Sequence, residues 1–140
     1  MSVASADLDR FVAAQADVYG AALAELRRGR KESHWMWFVF PQIVGLGHSA
    51  MSHHYAIRSL GEASAYLAHP VLGPRLAECT DTVLGHDGTS AEWIFGAVDA
   101  AKFRSSMTLF EAAGAAPRFA LALDAFFGGE RDQPTLRLLA

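Results

Sequence analysis

From Leu8 to Leu26 the apolar side chains repeat at helical spacing, with one gap at Gln15. Leu8, Phe11, Val12, Val18, Tyr19, Ala22, Leu23 and Leu26 form one stripe, and Asp9, Arg10, Asp17 and Arg27 fall between them. A 3.6-residue period buries one side of a helix and leaves a strand half-exposed on both faces, so it selects helix. The same period recurs downstream between helix stop signals, and no run except Trp35 to Phe40 alternates like a strand. The pattern predicts an all-α fold: a compact multihelical single domain, residues 1–140, of about six or seven helices. No internal repeat, linker or low-complexity segment interrupts it.

The punctuation sets the expected bounds. One helix is expected from Asp7 to Gly29, capped by Ser5 or Asp7 and ended by Gly29 in a left-handed conformation. Ser49 to Ile57 is ambiguous and fits a short helix. Ser59 and Glu62 have capping-box spacing before a helix from Leu60 to about Ala68. Pro74 suits the first turn of a helix carrying Leu76, Cys79, Val83 and Leu84 on one side, closed by Gly85 to Gly88. Thr89 and Glu92 form a second expected box, opening a short helix through Phe95. Asp99 is expected to cap a helix from Ala100 to Ala113 with Phe103, Met107 and Phe110 inward and Gly114 at its end. Pro117 opens a helix from Arg118 to Phe127, ended by Gly128-Gly129. Pro134 opens a last one over Thr135 to Leu139.

Composition narrows the class. The chain is 51% hydrophobic and 19% charged, too apolar for disorder throughout. Its formal net charge of −3 argues against general binding to nucleic-acid phosphates, which requires a basic field. A single cysteine, Cys79, excludes an intramolecular disulfide. No stretch reaches membrane-span length, and the first residues lack the basic and apolar regions of a signal peptide. A cytoplasmic protein is expected.

Chemistry-bearing residues concentrate in two patches. Arg30-Lys-Glu-Ser-His-Trp-Met-Trp-Phe-Val-Phe-Pro-Gln42 holds two of the three tryptophans, and the two lysines are split between it and Lys102-Phe-Arg-Ser-Ser-Met-Thr-Leu-Phe110. His34 is the candidate for proton transfer near neutral pH; a structural histidine at a loop–helix junction is the equal alternative. Lys31 suits a phosphate or carboxylate, or is a solvated cation past a helix end. Lys102, Ser105 and Ser106 share one helix face and could hold an oxyanion, or form a solvated stripe with Asp99 pairing Lys102. Trp35, Trp37, Phe38 and Phe40 could stack on a planar ligand, with core packing as the alternative that fits most of them, and Gln42 could orient the ligand. Being two apart, the tryptophans cannot both face squarely inward. A serine nucleophile lacks an elbow motif and a carboxylate partner. His48, His53 and His54 lack metal-ligand spacing, so no metal or cofactor is expected. Gly45-Leu-Gly47 is too short for a phosphate loop.

With these residues in view the chain resembles the domain-of-unknown-function family numbered eighteen-ten. The shared features are Asp9-Arg-Phe11, Gly29-Arg-Lys-x-Ser-His-Trp-Met-Trp-Phe-x-Phe-Pro-Gln42, Gly45-Leu-Gly47, Tyr55-Ala-Ile57, His69-Pro-x-Leu-Gly73, Phe95-Gly96 with Asp99, Lys102 with Ser105-Ser-Met-Thr-Leu-Phe110, and Thr135-Leu136. The resemblance implies a small, mostly helical bacterial-type domain and no established activity. Some members carry the label calpastatin, a disordered inhibitor, which this helix-patterned chain does not look like. The family motif contains both lysines, which favours a shared polar site.

Two functions remain open on the sequence, beside a third reading in which the motifs specify an unusual turn and core and no site exists. One is a site for a small anionic ligand, nucleotide-derived ligands included, with or without catalysis. The other is a protein-interaction module or homodimerising domain without catalysis. The first requires the two patches to meet in space.

Overall fold

The computed structural model describes residues 3–140, with side chains from residue 8 onward. Among the described residues there are ten helices: α1 Val3–Gln15, α2 Tyr19–Arg27, α3 Met36–Val39, α4 Ala50–His54, α5 Leu60–Ala68, α6 Leu72–Leu84, α7 Ala91–Phe95, α8 Ala97–Ala113, α9 Arg118–Phe127 and α10 Gln133–Leu139. The all-helical expectation holds, but the count exceeds six or seven because the expected first helix is two and because α3 and α4 are single turns too short to show a period. The only pairing of strand type among the described residues is an isolated parallel bridge, Ile43 with Ile57.

The expected long first helix is two. After Gln15 the chain turns, and Val18 N–H donates to the Gln15 carbonyl before α2 begins. The reason is tertiary. α1 packs on α3 and α5, whereas α2 packs on α6, and one straight rod could not serve both. The buried Gln15 amide marks the corner, donating to Phe38 O at 2.7 Å and to Tyr66 Oη at 3.1 Å. Gly29 ends α2 with φ 77°, as expected. The proposed caps Ser5 and Asp7 lie outside the described side chains.

α8 is the central element, touching α5, α7, α9 and α10. Ser105 to Phe110 are buried without a break, so this middle stretch of the helix is surrounded on every side rather than amphipathic. Phe103, Met107 and Phe110 are fully buried, as expected, and Phe40, Phe95 and Phe103 pack ring to ring beneath the first turn of α8.

Three local expectations shift. Ser59 caps α5 by accepting from Glu62 N, but the Glu62 carboxylate does not reach back to close the box. It accepts instead from Arg58 N and Arg10. Ser90, not Thr89, caps α7 by accepting from Trp93 N, and Thr89 belongs to the preceding turn, its N–H donating to His86 O. Asp99 is not a cap: α8 begins earlier, at Ala97, and its N-cap is Gly96. The segment Trp35 to Phe40, the one strand-like run, contains the single helical turn α3.

Candidate functional site

The site begins with a buried carboxylate on α2. Glu25 accepts from Glu32 N at 2.8 Å, Ser33 N at 2.9 Å, Ser33 Oγ at 2.5 Å and Trp35 Nε1 at 2.9 Å. Burial works to raise its pKa, but the bonds from Ser33, Glu32 and Trp35 outweigh it and hold the carboxyl down at about 2. The loop between α2 and α3 is thereby folded around one anion. Lys31 N–H ties the same loop to α7 by donating to Ile94 O at 2.7 Å.

The Lys31 side chain is 7% exposed. Its ammonium donates to Ser33 O at 2.6 Å, pairs with Asp99 Oδ2 at 2.9 Å and lies 5.1 Å from the centre of the Trp35 ring. Lys102 approaches the other oxygen of the same carboxylate, Asp99 Oδ1, at 3.4 Å, and sits 4.9 Å over Trp37. One carboxylate therefore bridges two ammonium groups, each resting on an indole face.

Above this bridge lies a hollow of about 360 Å³. It is lined by Lys31, His34, Trp37 and Lys102 together with Met36, Phe95, Gly96, Ala97, Val98 and Asp99. That volume is near the low end of the roughly 300–1,000 Å³ usual for small-molecule sites. Gly96 adopts φ 82°, ψ 160° and offers no side-chain cap, so the first N–H groups of the 17-residue α8 meet no capping side chain at the wall of the hollow. Trp37 Nε1 is buried and has no hydrogen-bond partner among the described residues.

Four of the eight expected site residues meet here: Lys31, His34, Trp37 and Lys102. The other four lie elsewhere. Trp35 is fully buried, its indole spent on Glu25. Gln42 is outside the lining, on the segment whose carbonyl accepts from Ile57 N. Ser105 and Ser106 are buried in the packing around α8. Ser105 Oγ bonds back to Ala101 O, and Ser106 Oγ has no partner among the described residues. The helix-face argument placed them correctly relative to Lys102, but that face turns inward one turn further along. Glu25 and Asp99 were missed as site residues. Asp99 had a signal, its place between Phe95-Gly96 and Lys102; Glu25 had none, because a lone Glu on a charged helix end is unremarkable.

Among the described residues no group of three or more His, Cys, Asp or Glu side chains is arranged to hold a metal ion, and no helix is long and apolar enough to cross a membrane.

No curated protein matches the chain. A solved structure that matches is the crystal structure of the conserved hypothetical protein Rv1873 from Mycobacterium tuberculosis. The two chains are 54% identical, with a TM-score of 0.93 over 95% of this chain and 96% of that one. That neighbour is bacterial and carries no assigned activity in its description. Residues 5–139 match the family described as "Protein of unknown function (DUF1810)", which covers the motifs on both walls of the hollow, and the chain belongs to that family.

Proposed function

We propose that the hollow binds a small ligand with an anionic group, nucleotide-derived ligands foremost. The observation that supports this reading is the meeting of His34 and Lys102, from distant segments, around one concavity walled by Trp37. Two ammonium groups face one carboxylate there, which leaves an excess of one positive charge. The uncapped start of α8 adds N–H donors of the same sign. Trp37 offers an apolar face to a ring. His34 is exposed at the rim and is the group to carry proton transfer if the ligand is turned over. Trp35, Gln42, Ser105 and Ser106 have no part in contacting the ligand in this reading.

The test is a thermal-shift screen of nucleoside monophosphates, dinucleotides and phosphorylated metabolites on the wild type, Lys102→Ala and His34→Ala. At least one compound is expected to raise the melting temperature of the wild type, with the rise lost in Lys102→Ala and reduced in His34→Ala. A set of compounds that moves nothing in the wild type would sink the reading.

A second reading, an interaction module or homodimer, draws on Trp93. It is 58% exposed, with the Arg30 guanidinium 4.4 Å over its ring, and Val98 nearby in sequence is 71% exposed. Sedimentation of the wild type against Trp93→Ala distinguishes it: only this reading expects a change in mass.

A further inference from the structure

We propose that Glu25 and Lys31 are positioning residues, which fasten the 31–35 loop between α2 and α8 and leave Lys102, His34 and Trp37 as the groups that meet the ligand. The proposal rests on the ligand reading above for what is positioned, but the fastening itself can be measured without any ligand.

The donor count makes the division. An ammonium has three N–H donors. Those of Lys31 have three takers: Ser33 O, Asp99 Oδ2 and the π face of Trp35. Nothing is left for a ligand, and the side chain is 7% exposed. Lys102 is 23% exposed and, among the described residues, has the longer contact to Asp99 and the Trp37 face, so a donor remains. The family-like motif thus contains two lysines in one hollow with different work.

Glu25 completes the fastening from the other side. Its four donors come from three residues, Glu32, Ser33 and Trp35, all in the loop. Ser33 is gripped twice over: its N–H and hydroxyl by Glu25, its carbonyl by Lys31. Trp35 is also held by both, its indole N–H by Glu25 and its ring under the Lys31 ammonium. The result is a chain of contacts running Glu25, Ser33 and Trp35, Lys31, Asp99 from α2 to α8. His34 is enclosed between two held residues, so its backbone position is set although its side chain is free at the surface. A rigid loop spares a bound ligand the cost of ordering it.

The test compares wild type, Glu25→Gln, Lys31→Met, Lys31→Arg and the milder Ser33→Ala, which removes only the hydroxyl bond and keeps the protein folded. Amide hydrogen exchange and the Trp35 indole N–H resonance are read by NMR, and binding of adenosine monophosphate by calorimetry. In Glu25→Gln, amide exchange over residues 32–35 is expected to rise about tenfold or more, as loss of charge-assisted bonds implies, while α8 and α9 keep their protection. The Trp35 indole signal is expected to move with it. Ser33→Ala is expected to give the same local pattern, smaller. Lys31→Met is expected to weaken adenosine monophosphate binding, and Lys31→Arg to restore most of it, because charge and reach are kept. Exchange in the 32–35 loop unchanged in both Glu25→Gln and Ser33→Ala overturns the proposal, as does Lys31→Met binding as tightly as wild type. If the wild type binds no adenosine monophosphate, the binding arm is read with a compound that shifts the wild type in the thermal screen; if no compound does while the loop loosens as described, the fastening stands on the exchange data and the ligand reading fails.

Discussion

The Lys31 ammonium and the Asp99 carboxylate meet at 2.9 Å, joining the loop after α2 to the first turn of α8. Lys102 shares the same carboxylate from one turn further along α8. An aspartate held between two cations occupies the position that an incoming anion would otherwise compete for, so it tempers the charge of the hollow while fixing its walls.

Removing the bridge separates structural from surface roles. Asp99→Asn leaves the largely buried Lys31 ammonium without a countercharge and is expected to cost about 2–3 kcal/mol; the partial exposure of Asp99 keeps this below the penalty of a fully buried pair. Lys102→Ala, on a more exposed side chain, is expected to cost less than about 1 kcal/mol. Urea unfolding of the two variants measures the contrast, and equal losses would show that the bridge does not depend on Lys31.

Acid should loosen the loop at Glu25. Its folded pKa of about 2 lies below the ordinary 4.5, so the carboxylate contributes stability that is fully present above pH 4.5 and lost as the pH falls toward 2. On the order of 2–3 kcal/mol rides on this group. Melting temperature followed from pH 6 to pH 2 is expected to fall less steeply in Glu25→Gln than in the wild type, from a lower starting value.

Two glycines should respond in opposite directions to the same substitution. A Cβ on Gly73 would stand 2.2 Å from Leu67 O, where α6 leaves α5, and backbone cannot yield there. Gly73→Ala is expected to destabilise by about 3 kcal/mol or more, as an overpacked core does. Gly20 lies in α2 with nothing within 4 Å of its would-be Cβ. Gly20→Ala is expected to stabilise by about 0.5–1 kcal/mol through helix propensity. Chemical denaturation of the two variants side by side is the check.

Gly96 tests conformation without crowding. Its φ of 82° with ψ of 160° is a region that L side chains rarely enter, yet an added Cβ meets nothing within 4 Å. Gly96→Ala is expected to cost about 1–3 kcal/mol, from backbone strain alone. Because Gly96 lines the hollow, ligand-induced stabilisation should shrink in the same variant.

Several elements were readable in one dimension because their signals are local. Leu60–Ala68 and Arg118–Phe127 fall where Ser59, Pro117 and Gly128 put them, since caps and breakers act within a turn of the residue that carries them. The burial of Phe103, Met107 and Phe110 followed from spacing alone. The misplacements have two causes. The α1–α2 break follows from tertiary packing, marked by the Gln15 amide on Phe38 O, while the cap at Ser90 and the start of α8 at Ala97 sit one to three residues from the expected positions, a margin that local signals do not resolve.

The candidate site divides along the same line. Residue chemistry and the family resemblance together marked Lys31, His34, Trp37 and Lys102, because lysines and tryptophans are scarce in this chain and concentrated in the motifs. Only the tertiary structure decided that Trp35, Ser105 and Ser106 face inward, that Asp99 belongs to the wall of the hollow, and that Glu25 holds the loop behind it. Spacing tells which side chains share a face of one helix. Which way that face turns is settled by the helices packed around it, and from Ser105 to Phe110 α8 is buried on every side.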